Sequence, residues 1–278
     1  MIQDIEPYKF DNAYKNIKPT EQDYVLFFDN SQILVRLEEE NGGNKIIFPS
    51  VKEFGIGNDY TYLFSIDDMR FFMCDNEELL PEGYELTDVR KIRDIGVSPM
   101  YSVFAVMTGK HLADWYRDTK YCGRCSGKTV HSDKERAKVC PQCGYTIYPR
   151  IMPAVIVGVK NGEKLLLTKY RTGLGYNALI AGFTEIGETL EETVEREVME
   201  ESGLKIKNIR YYKTQPWGLA NDILIGYYCE VDGDDKITMD ENELKEARWV
   251  ERNEIELQPG NYSLTNEMMK MFKEGKIR

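Results

Sequence analysis

The sequence lacks any run of about 18 apolar residues, the length that a helix needs to cross a bilayer. Its first twelve residues, MIQDIEPYKFDN, also lack the basic region and apolar core of a signal peptide. We therefore expect a cytoplasmic protein with no membrane partner. Excess basic charge is missing too. The formal net charge is −11, which disfavours a generic nucleic-acid-binding protein, because such proteins hold phosphates with clustered Lys and Arg. No DNA partner is expected.

The chain has 278 residues, enough for more than one domain. Residues 1–97 read as a β-rich N-terminal domain, because short apolar runs alternate with turn signals. We find no catalytic constellation in this domain. The predicted strands are Tyr24–Phe28, Ile33–Leu37, Lys45–Phe48 and Tyr60–Ile66.

Three further segments follow along the chain. Residues 98–120 are predicted to form a linking helix, with Ser98 as N-cap and Pro99 at the first helical position. Residues 121–149 contain paired cysteines. Residues 150–278 mix strands and helices, which indicates a layered α/β domain. Its predicted elements are strands at Val155–Val159 and Leu165–Thr168 around an Asn161-Gly162 turn, and helices at 189–202 and near 263–273.

Four of the six cysteines form two C-x-x-C pairs, Cys122/Cys125 and Cys140/Cys143. In a cytosolic chain such pairs are more often metal ligands than disulfides. Two knuckles that direct four thiolates at one point suit tetrahedral Zn²⁺, and a site of four thiolates leaves no open position, so its role is structural. Residues 121–149 are therefore predicted to form a zinc ribbon. A thiol redox pair and an iron–sulfur cluster are the alternatives. The isolated Cys74 and Cys229 lie in apolar segments and are expected to be buried.

The segment 182–204 combines a glycine-containing loop with an acidic helix. Leu190, Val194 and Val198 recur every four positions and predict a buried stripe. On another side, Glu197, Glu200 and Glu201 project from consecutive turns. Eight glutamates lie between positions 185 and 201, with Arg196 as the immediate counter-charge. Hard cations such as Mg²⁺ or Mn²⁺ would compensate this density. A solvated acidic face is the alternative that charge alone leaves open.

The full pattern G-x₅-E-x₇-R-E-U-x-E-E-x-G-U, with U aliphatic, resembles the signature of the Nudix hydrolases. Each of its nine defined positions is filled here, by Gly182, Glu188, Arg196, Glu197, Val198, Glu200, Glu201, Gly203 and Leu204. The resemblance implies a C-terminal Nudix α/β/α sandwich with a mixed sheet, in an α+β multidomain chain. It also implies a catalytic set of Glu188, Arg196, Glu197, Glu200 and Glu201.

Three features narrow the resemblance to the NADH pyrophosphatases, which carry a zinc ribbon. The cysteine pairs lie immediately upstream and end in Tyr148-Pro149. Thr214-Gln215-Pro216-Trp217 follows the signature, where those enzymes carry S-Q-P-W-P-F-P-x-S. Glu243 matches a late acidic metal ligand of the family. The resemblance therefore implies Mg²⁺ or Mn²⁺ ligands at the Ala181 carbonyl, Glu197, Glu200, Glu201 and Glu243, and a homodimer.

The sequence departs from this family where substrate specificity is determined. After Trp217 the chain reads Gly218-Leu219-Ala220-Asn221-Asp222 in place of P-F-P-x-S. The family's phenylalanine can stack on a base, whereas Leu219 offers only apolar contact. The substrate-binding residues that the resemblance implies are Tyr148, Gln215, Pro216, Trp217, Gly218, Leu219, Ala220, Asn221, Asp222 and Thr265.

The expected function is metal-dependent hydrolysis of the diphosphate bond of NADH or NAD⁺, which gives AMP and nicotinamide mononucleotide. Removal of NAD caps from RNA cleaves the same bond in a larger substrate. The altered segment leaves ADP-ribose or a diadenosine polyphosphate as alternative substrates. A non-catalytic sensor of nucleotides or RNA is the alternative of another class, because basic residues of the ribbon could contact RNA: Arg124, Lys128, Lys134, Arg136 and Lys138.

Overall fold

The computed structural model describes residues 1–40, 42–75, 80–172 and 175–277. Its contacts divide the chain into two compact units. The N-terminal unit contains Ile2–Arg150 and Trp217–Asn221, and the C-terminal unit contains Ile151–Pro216 and the chain from Asp222 onward. No helix among the described residues is long and apolar enough to cross a membrane.

The N-terminal unit is rich in short strands, as the sequence predicts. Its helices are α1 (Val51–Phe54), α2 (Val89–Asp94) and α3 (Met100–Asp118). Its strands are β1 (Phe10–Asp11), β2 (Tyr24–Leu26), β3 (Phe28–Asp29), β4 (Gln32–Glu40), β5 (Gly43–Ile47), β6 (Tyr60–Ile66), β7 (Met69–Cys74), β8 (Glu85–Asp88), β9 (Val130–His131), β10 (Lys138–Val139) and β11 (Thr146–Ile147).

These strands form three sheets. One has the order β1-β6-β7-β2, a second has the order β3-β4-β5 with β8 paired to β4, and the small sheet of the cysteine segment has the order β11-β10-β9. Cys74 is buried in a core cluster with Val25, Phe27 and Leu34, as the sequence predicts. The residues of this cluster come from strands that are distant in sequence, so the core of this unit forms only when those strands have paired.

The linking helix differs from its prediction at its first turn. Pro99 is the N-cap, with φ −74° and ψ 157°, and α3 begins at Met100. The prediction of Ser98 as N-cap was therefore wrong. Pro99 has extended backbone geometry, so it precedes the first helical residue instead of occupying it, and its side chain makes no capping hydrogen bond.

The C-terminal unit contains a six-stranded mixed sheet and two longer helices. The sheet order is β15-β16-β12-β13-β17, with β14 paired to β12. β12 pairs parallel with β16 and antiparallel with both β13 and β14. Its elements are β12 (Met152–Asn161), β13 (Lys164–Tyr170), β14 (Ile180–Phe183), α4 (Leu190–Ser202), β15 (Ile206–Trp217), β16 (Asp222–Val231), β17 (Leu244–Glu251), a 3₁₀ helix (Arg252–Glu254) and α5 (Leu264–Lys273).

The two helices cover opposite faces of this sheet. Ile225, Tyr227 and Cys229 on β16 share a core cluster with Val194 and Val198 of α4. The residues between them on β16 face α5 instead. A Cβ at Gly226 would approach side chains of α5, and the Tyr228 hydroxyl donates to the Met268 carbonyl. Because successive strand residues point to opposite faces, the unit is an α/β/α sandwich. This confirms the fold class, and the predicted β12–β13 hairpin, both helices and the buried Cys229 are also present.

Candidate active site and metal centre

Helix α4 has well-defined caps at both ends. The Thr189 side chain accepts a hydrogen bond from the Glu192 backbone N–H at 3.2 Å, and Glu192 accepts from the Thr189 N–H at 2.7 Å. This reciprocal capping box satisfies amides at the N-terminus. At the other end, Gly203 is left-handed with φ 70°, as predicted for a helix stop. With Val194 and Val198 fully buried, the rotation of the helix is set, and so is the direction of its glutamates.

Gly182, in β14, allows the backbone to approach Glu197 closely. A Cβ placed on Gly182 would lie 2.0 Å from Cδ and Oε1 of Glu197. No side chain fits in that space, so glycine is required for Glu197 to take its observed position. Glu197 is buried, and its burial raises the pKa of its carboxyl group while Arg196 opposes the rise.

Arg196 connects three carboxylates and one backbone carbonyl. Its Nε and Nη2 donate to the two Glu188 carboxylate oxygens at 2.5 and 2.9 Å, and its Nη1 donates to Glu197 at 2.7 Å and Glu200 at 3.1 Å. Nη2 also reaches the Phe183 carbonyl at 2.9 Å. Hydrogen bonding from Arg196 lowers the pKa of Glu188 to about 2. The planar fork of guanidinium thus fixes the geometry of these acids.

Glu201 is held by a residue that the sequence analysis did not identify. The Tyr170 hydroxyl, at the end of β13, lies 3.1 and 3.2 Å from the two carboxylate oxygens of Glu201, and it accepts from the Ala181 N–H at 3.1 Å. Glu201 is 2% exposed. Burial raises the pKa of Glu201 to about 8, despite these hydrogen bonds, and Glu197 and Glu243 add repulsion. Tyr170 precedes Glu201 by 31 residues, so no local pattern connects them.

The resulting site collects oxygen donors and negative charge on one side of α4. Desolvation and mutual repulsion raise the pKa of both buried carboxyls, a cost that a bound cation would relieve. The donor set consists of carboxylates, which suit hard divalent cations. Glu200 is more exposed and is held by Arg196. Glu243 is exposed and precedes β17.

The four predicted zinc ligands come together in the N-terminal unit. Their ligand atoms all lie within 4.8 Å of one another. Within the described ranges, no other group of three or more His, Cys, Asp or Glu side chains meets this distance. Cys122 Sγ is 3.7 Å from Cys143 Sγ, and Cys125 Sγ is 3.5 Å from Cys140 Sγ. Tetrahedral Zn–S bonds of about 2.3 Å imply S···S distances of about 3.8 Å. The Arg124 backbone N–H, as the largest cause, lowers the pKa of Cys122 to about 7, which favours the thiolate that binds metal.

The predicted substrate-binding residues divide between the two units. In the C-terminal unit, Gln215 is fully buried. Its amide donates to the Tyr262 carbonyl at 2.7 Å and accepts from the Leu264 N–H at 2.7 Å. Gln215 therefore holds the start of α5, where Thr265 is half-buried. Pro216 is exposed.

In the N-terminal unit, Tyr148 is 56% exposed, and its hydroxyl lies 3.0 Å from a Glu135 carboxylate oxygen. Gly218 is buried against α3, and a Cβ there would lie 1.9 Å from the Met107 carbonyl oxygen. The remaining members of this segment are half-buried or exposed: Trp217, Leu219, Ala220 and Asn221. Asn221 adopts φ 59°. The close packing of Gly218 gives a physical reason for glycine at this position.

Asp222 is a buried carboxylate at the start of β16. It is 5% exposed, and its Oδ1 has no hydrogen-bond partner among the described residues. Burial raises the pKa of this carboxyl from 3.8 to about 7. A buried acceptor without a partner costs free energy, and here the cost grows when the group ionises.

We expect Asp222→Asn to stabilise the protein more at alkaline than at acidic pH. The folded state binds this proton more tightly than the unfolded chain, so wild-type stability falls as the pH rises from 3.8 to about 7. The shift corresponds to a cost of up to about 4 kcal/mol. In urea unfolding, the free energy of unfolding of the variant minus that of the wild type should increase by about 2 kcal/mol between about pH 5 and pH 8.

The matched control is Asp234→Asn, which neutralises an exposed aspartate of the same unit. Its effect on the free energy of unfolding should stay small over the same pH range. An advantage of Asp222→Asn that does not change with pH would contradict the assignment of a raised pKa to this carboxyl.

Comparisons with known proteins agree with the acidic site of the C-terminal unit and, separately, with the four-cysteine site of the N-terminal unit. Residues 150–271 match the NUDIX domain model, and residues 117–148 match the model of the NADH pyrophosphatase zinc ribbon domain. The crystal structure of a NUDIX hydrolase from Nitrosomonas europaea superposes with a TM-score of 0.50 at 22% identity, covering 56% of this chain and 91% of that chain, which supports the fold.

Curated relatives are more similar in sequence. The chain is 38% identical over 179 residues to the NAD-capped RNA hydrolase NudC of Shigella flexneri. The aligned region covers 63% of this chain and 67% of the relative. NudC of Escherichia coli O9:H4 (strain HS) gives the same values. This chain belongs to the Nudix hydrolase family. It combines the Nudix domain with the zinc ribbon of the NADH pyrophosphatases.

Proposed function

We propose that this chain hydrolyses the diphosphate bond of NADH and NAD⁺ to AMP and nicotinamide mononucleotide, and that it removes NAD caps from RNA. The observation that carries the proposal is the buried pair Glu197 and Glu201 beside Gly182, whose missing side chain makes room for Glu197. The relatives named NAD-capped RNA hydrolase support the choice of substrate.

The donor set fits a divalent cation, and we propose Mg²⁺ or Mn²⁺. Glu197, Glu200, Glu201, Glu243 and the Ala181 carbonyl would hold it. Two of these groups, the buried carboxyls of Glu197 and Glu201, have raised pKa values, and a divalent cation would stabilise them in ionised form. When bound, it supplies neutralisation of the diphosphate charge and a lowered pKa for an attacking water.

The chain's own residues orient this chemistry. Arg196 fixes Glu188, Glu197 and Glu200 through charge-assisted hydrogen bonds. Tyr170 fixes the Glu201 carboxylate against the backbone of β14. Such preorganisation avoids rearrangement during hydrolysis. The four-cysteine site would hold Zn²⁺ in a closed, structural role.

The wider setting is also part of the proposal. We propose a cytoplasmic homodimer, which the resemblance to the NADH pyrophosphatases supports. Tyr148, Thr265 and the segment 215–222 are the proposed substrate contacts. Gln215 would act indirectly, because backbone groups of residues 262 and 264 occupy its amide.

One observation favours a second set of substrates. Gly218 packs on the Met107 carbonyl, and Leu219 stands where the family has an aromatic residue. Loss of a base-stacking ring removes about 1–3 kcal/mol of binding in nucleic-acid systems. ADP-ribose or a diadenosine polyphosphate would then compete with NADH.

A substrate panel tests the proposal. We expect the purified protein with Mg²⁺ or Mn²⁺ to form AMP and reduced nicotinamide mononucleotide fastest from NADH, when NADH, NAD⁺, ADP-ribose and diadenosine tetraphosphate are compared at equal concentration by chromatography. Faster cleavage of ADP-ribose or of the tetraphosphate would assign the second substrate set. No cleavage of any compound, or of NAD-capped RNA, would refute the hydrolase assignment.

A further inference from the structure

The cysteine ribbon is a basic region within an acidic chain. Residues 120–150 contain seven Lys or Arg and two Asp or Glu, a net charge of +5, whereas the whole chain carries −11. A Zn²⁺ ion with four thiolates adds −2, so the region stays positive. Charge of one sign that is concentrated on one region attracts partners of the opposite sign.

Two of the seven basic side chains are used inside the N-terminal unit. Lys138 is 7% exposed. Arg136 donates to the Leu63 carbonyl at 2.6 Å and to the Asn12 side chain at 3.3 Å. Arg136 and Lys138, two of the residues that the sensor alternative offered as RNA contacts, are therefore packed within this unit. The basic side chains that remain at the surface are Lys120, Arg124, Lys128, Lys134 and Arg150.

Exposed aromatic rings accompany these charges. Tyr121 is 65% exposed, and its backbone pairs with that of Lys128 in an antiparallel bridge. Tyr145 is 39% exposed, with the Arg124 guanidinium 4.5 Å from the centre of its ring. We call these four residues the ribbon platform. Both pairs lie close in sequence to the cysteines: Tyr121 directly precedes Cys122, and Tyr145 follows Cys143 by two residues.

Exposed rings beside basic groups match the chemistry of single-stranded nucleic acid. Bases stack on aromatic faces and on guanidinium planes, while Lys and Arg neutralise the phosphates. Stacking tolerates any sequence, because every base has a π-face. The cation–π contact of Arg124 with Tyr145 holds both groups in place before a ligand binds.

We propose that the ribbon platform, Tyr121, Arg124, Lys128 and Tyr145, binds the single-stranded RNA chain of a 5′-capped substrate. The inference rests on the proposed function, since it assigns a second site to the same substrate. Free NADH has no such chain and gains nothing from the platform. The platform therefore acts on capped RNA and leaves the small dinucleotide unaffected.

The test compares the two substrates in three variants of the full-length protein, Tyr145→Ala, Tyr121→Ala and Arg124→Ala. Loss of one stacked base is expected to raise KM for NAD-capped single-stranded RNA by about 5- to 100-fold, with KM and kcat for NADH unchanged. Arg124→Ala should also lower the salt dependence of RNA binding by about 0.7 in log–log slope, as expected for one phosphate contact. Binding is followed by fluorescence anisotropy of a short, labelled, uncapped single-stranded RNA.

The matched control is Arg36→Ala. Arg36 stands over Tyr84 at 5.2 Å in the N-terminal sheets, an equivalent cation–π pair outside the ribbon. Its RNA affinity and KM should equal those of the wild type. Zinc content and sedimentation are measured for each variant, because loss of the zinc site would weaken RNA binding for another reason. The conservative variant Arg124→Lys keeps the positive charge and should therefore keep the wild-type salt dependence of RNA binding.

Several results would overturn the inference. Unchanged anisotropy and unchanged KM for capped RNA in all three variants would show that the ribbon platform does not bind RNA. A variant that instead dissociates in sedimentation would assign the platform to contact between two copies of the chain. Since anisotropy uses uncapped RNA, the inference can fail or succeed independently of whether the wild type cleaves NADH.

Discussion

Glu201→Gln is expected to lower kcat for NADH by about 10²- to 10⁴-fold, the range typical for loss of a positioned acid–base or metal-binding group. The amide keeps the size of the side chain but cannot carry negative charge. Although the substitution lowers activity, it should raise the free energy of unfolding of the metal-free protein near pH 8. The pKa of Glu201 is raised to about 8 by burial, so the metal-free folded state loses stability as the pH rises from 4.5 to about 8, and glutamine removes that loss.

Two measurements separate these effects, steady-state kinetics and thermal unfolding in a chelator near pH 8. Glu195→Gln is the matched control, because it makes the same change at an exposed position of α4. This control variant should have a kcat and a thermal unfolding midpoint close to those of the wild type. If Glu201→Gln kept wild-type turnover, the proposed site would be wrong, and the sensor hypothesis would gain support.

Gly182→Ala is expected to lower kcat by about 100-fold or more. The added Cβ would lie 2.0 Å from the Glu197 carboxyl, so the side chain of Glu197 or the strand β14 must shift. A displacement of about 1 Å in a catalytic group can cost about 10²-fold in rate. The concentration of Mg²⁺ or Mn²⁺ needed for half-maximal activity should rise as well, because Glu197 leaves its position.

The control for this substitution is Gly57→Ala. Gly57 has open space around its Cα and no positive φ, so its variant should match the wild type in kcat and metal requirement. Circular dichroism distinguishes a displaced carboxylate from an unfolded protein. A folded Gly182→Ala variant with wild-type kcat would show that catalysis does not require glycine at this position.

Elements with local determinants were predictable. The helix at 189–202 agrees with α4 within one residue, because its apolar stripe at Leu190, Val194 and Val198 and its glycine stop at Gly203 all lie in one continuous segment. The β12–β13 hairpin and the clustering of the four cysteines were predictable for the same reason. Each depends on residues close in sequence.

Features that depend on tertiary contacts were not predictable. Tyr170 contacts Glu201 across 31 residues, and Gln215 contacts Leu264 across 49. Neither pair leaves a periodic or spacing signal in the sequence. The burial of Lys138 also contradicts its residue type, since lysine is rarely buried. The sheet orders of the N-terminal unit likewise result from long-range pairing that short apolar runs do not specify.

The contact between Gly218 and the Met107 carbonyl constrains the order in which this protein could change its substrate. A step from glycine to proline at 218, toward the family's Pro-Phe-Pro, would place a Cβ 1.9 Å from that carbonyl oxygen. Either helix α3 or the segment itself would have to move to accept this Cβ, because the atom that it meets is a main-chain oxygen, which no substitution at Met107 removes. A design that introduces the family's motif into this chain must therefore also change how the segment packs on α3.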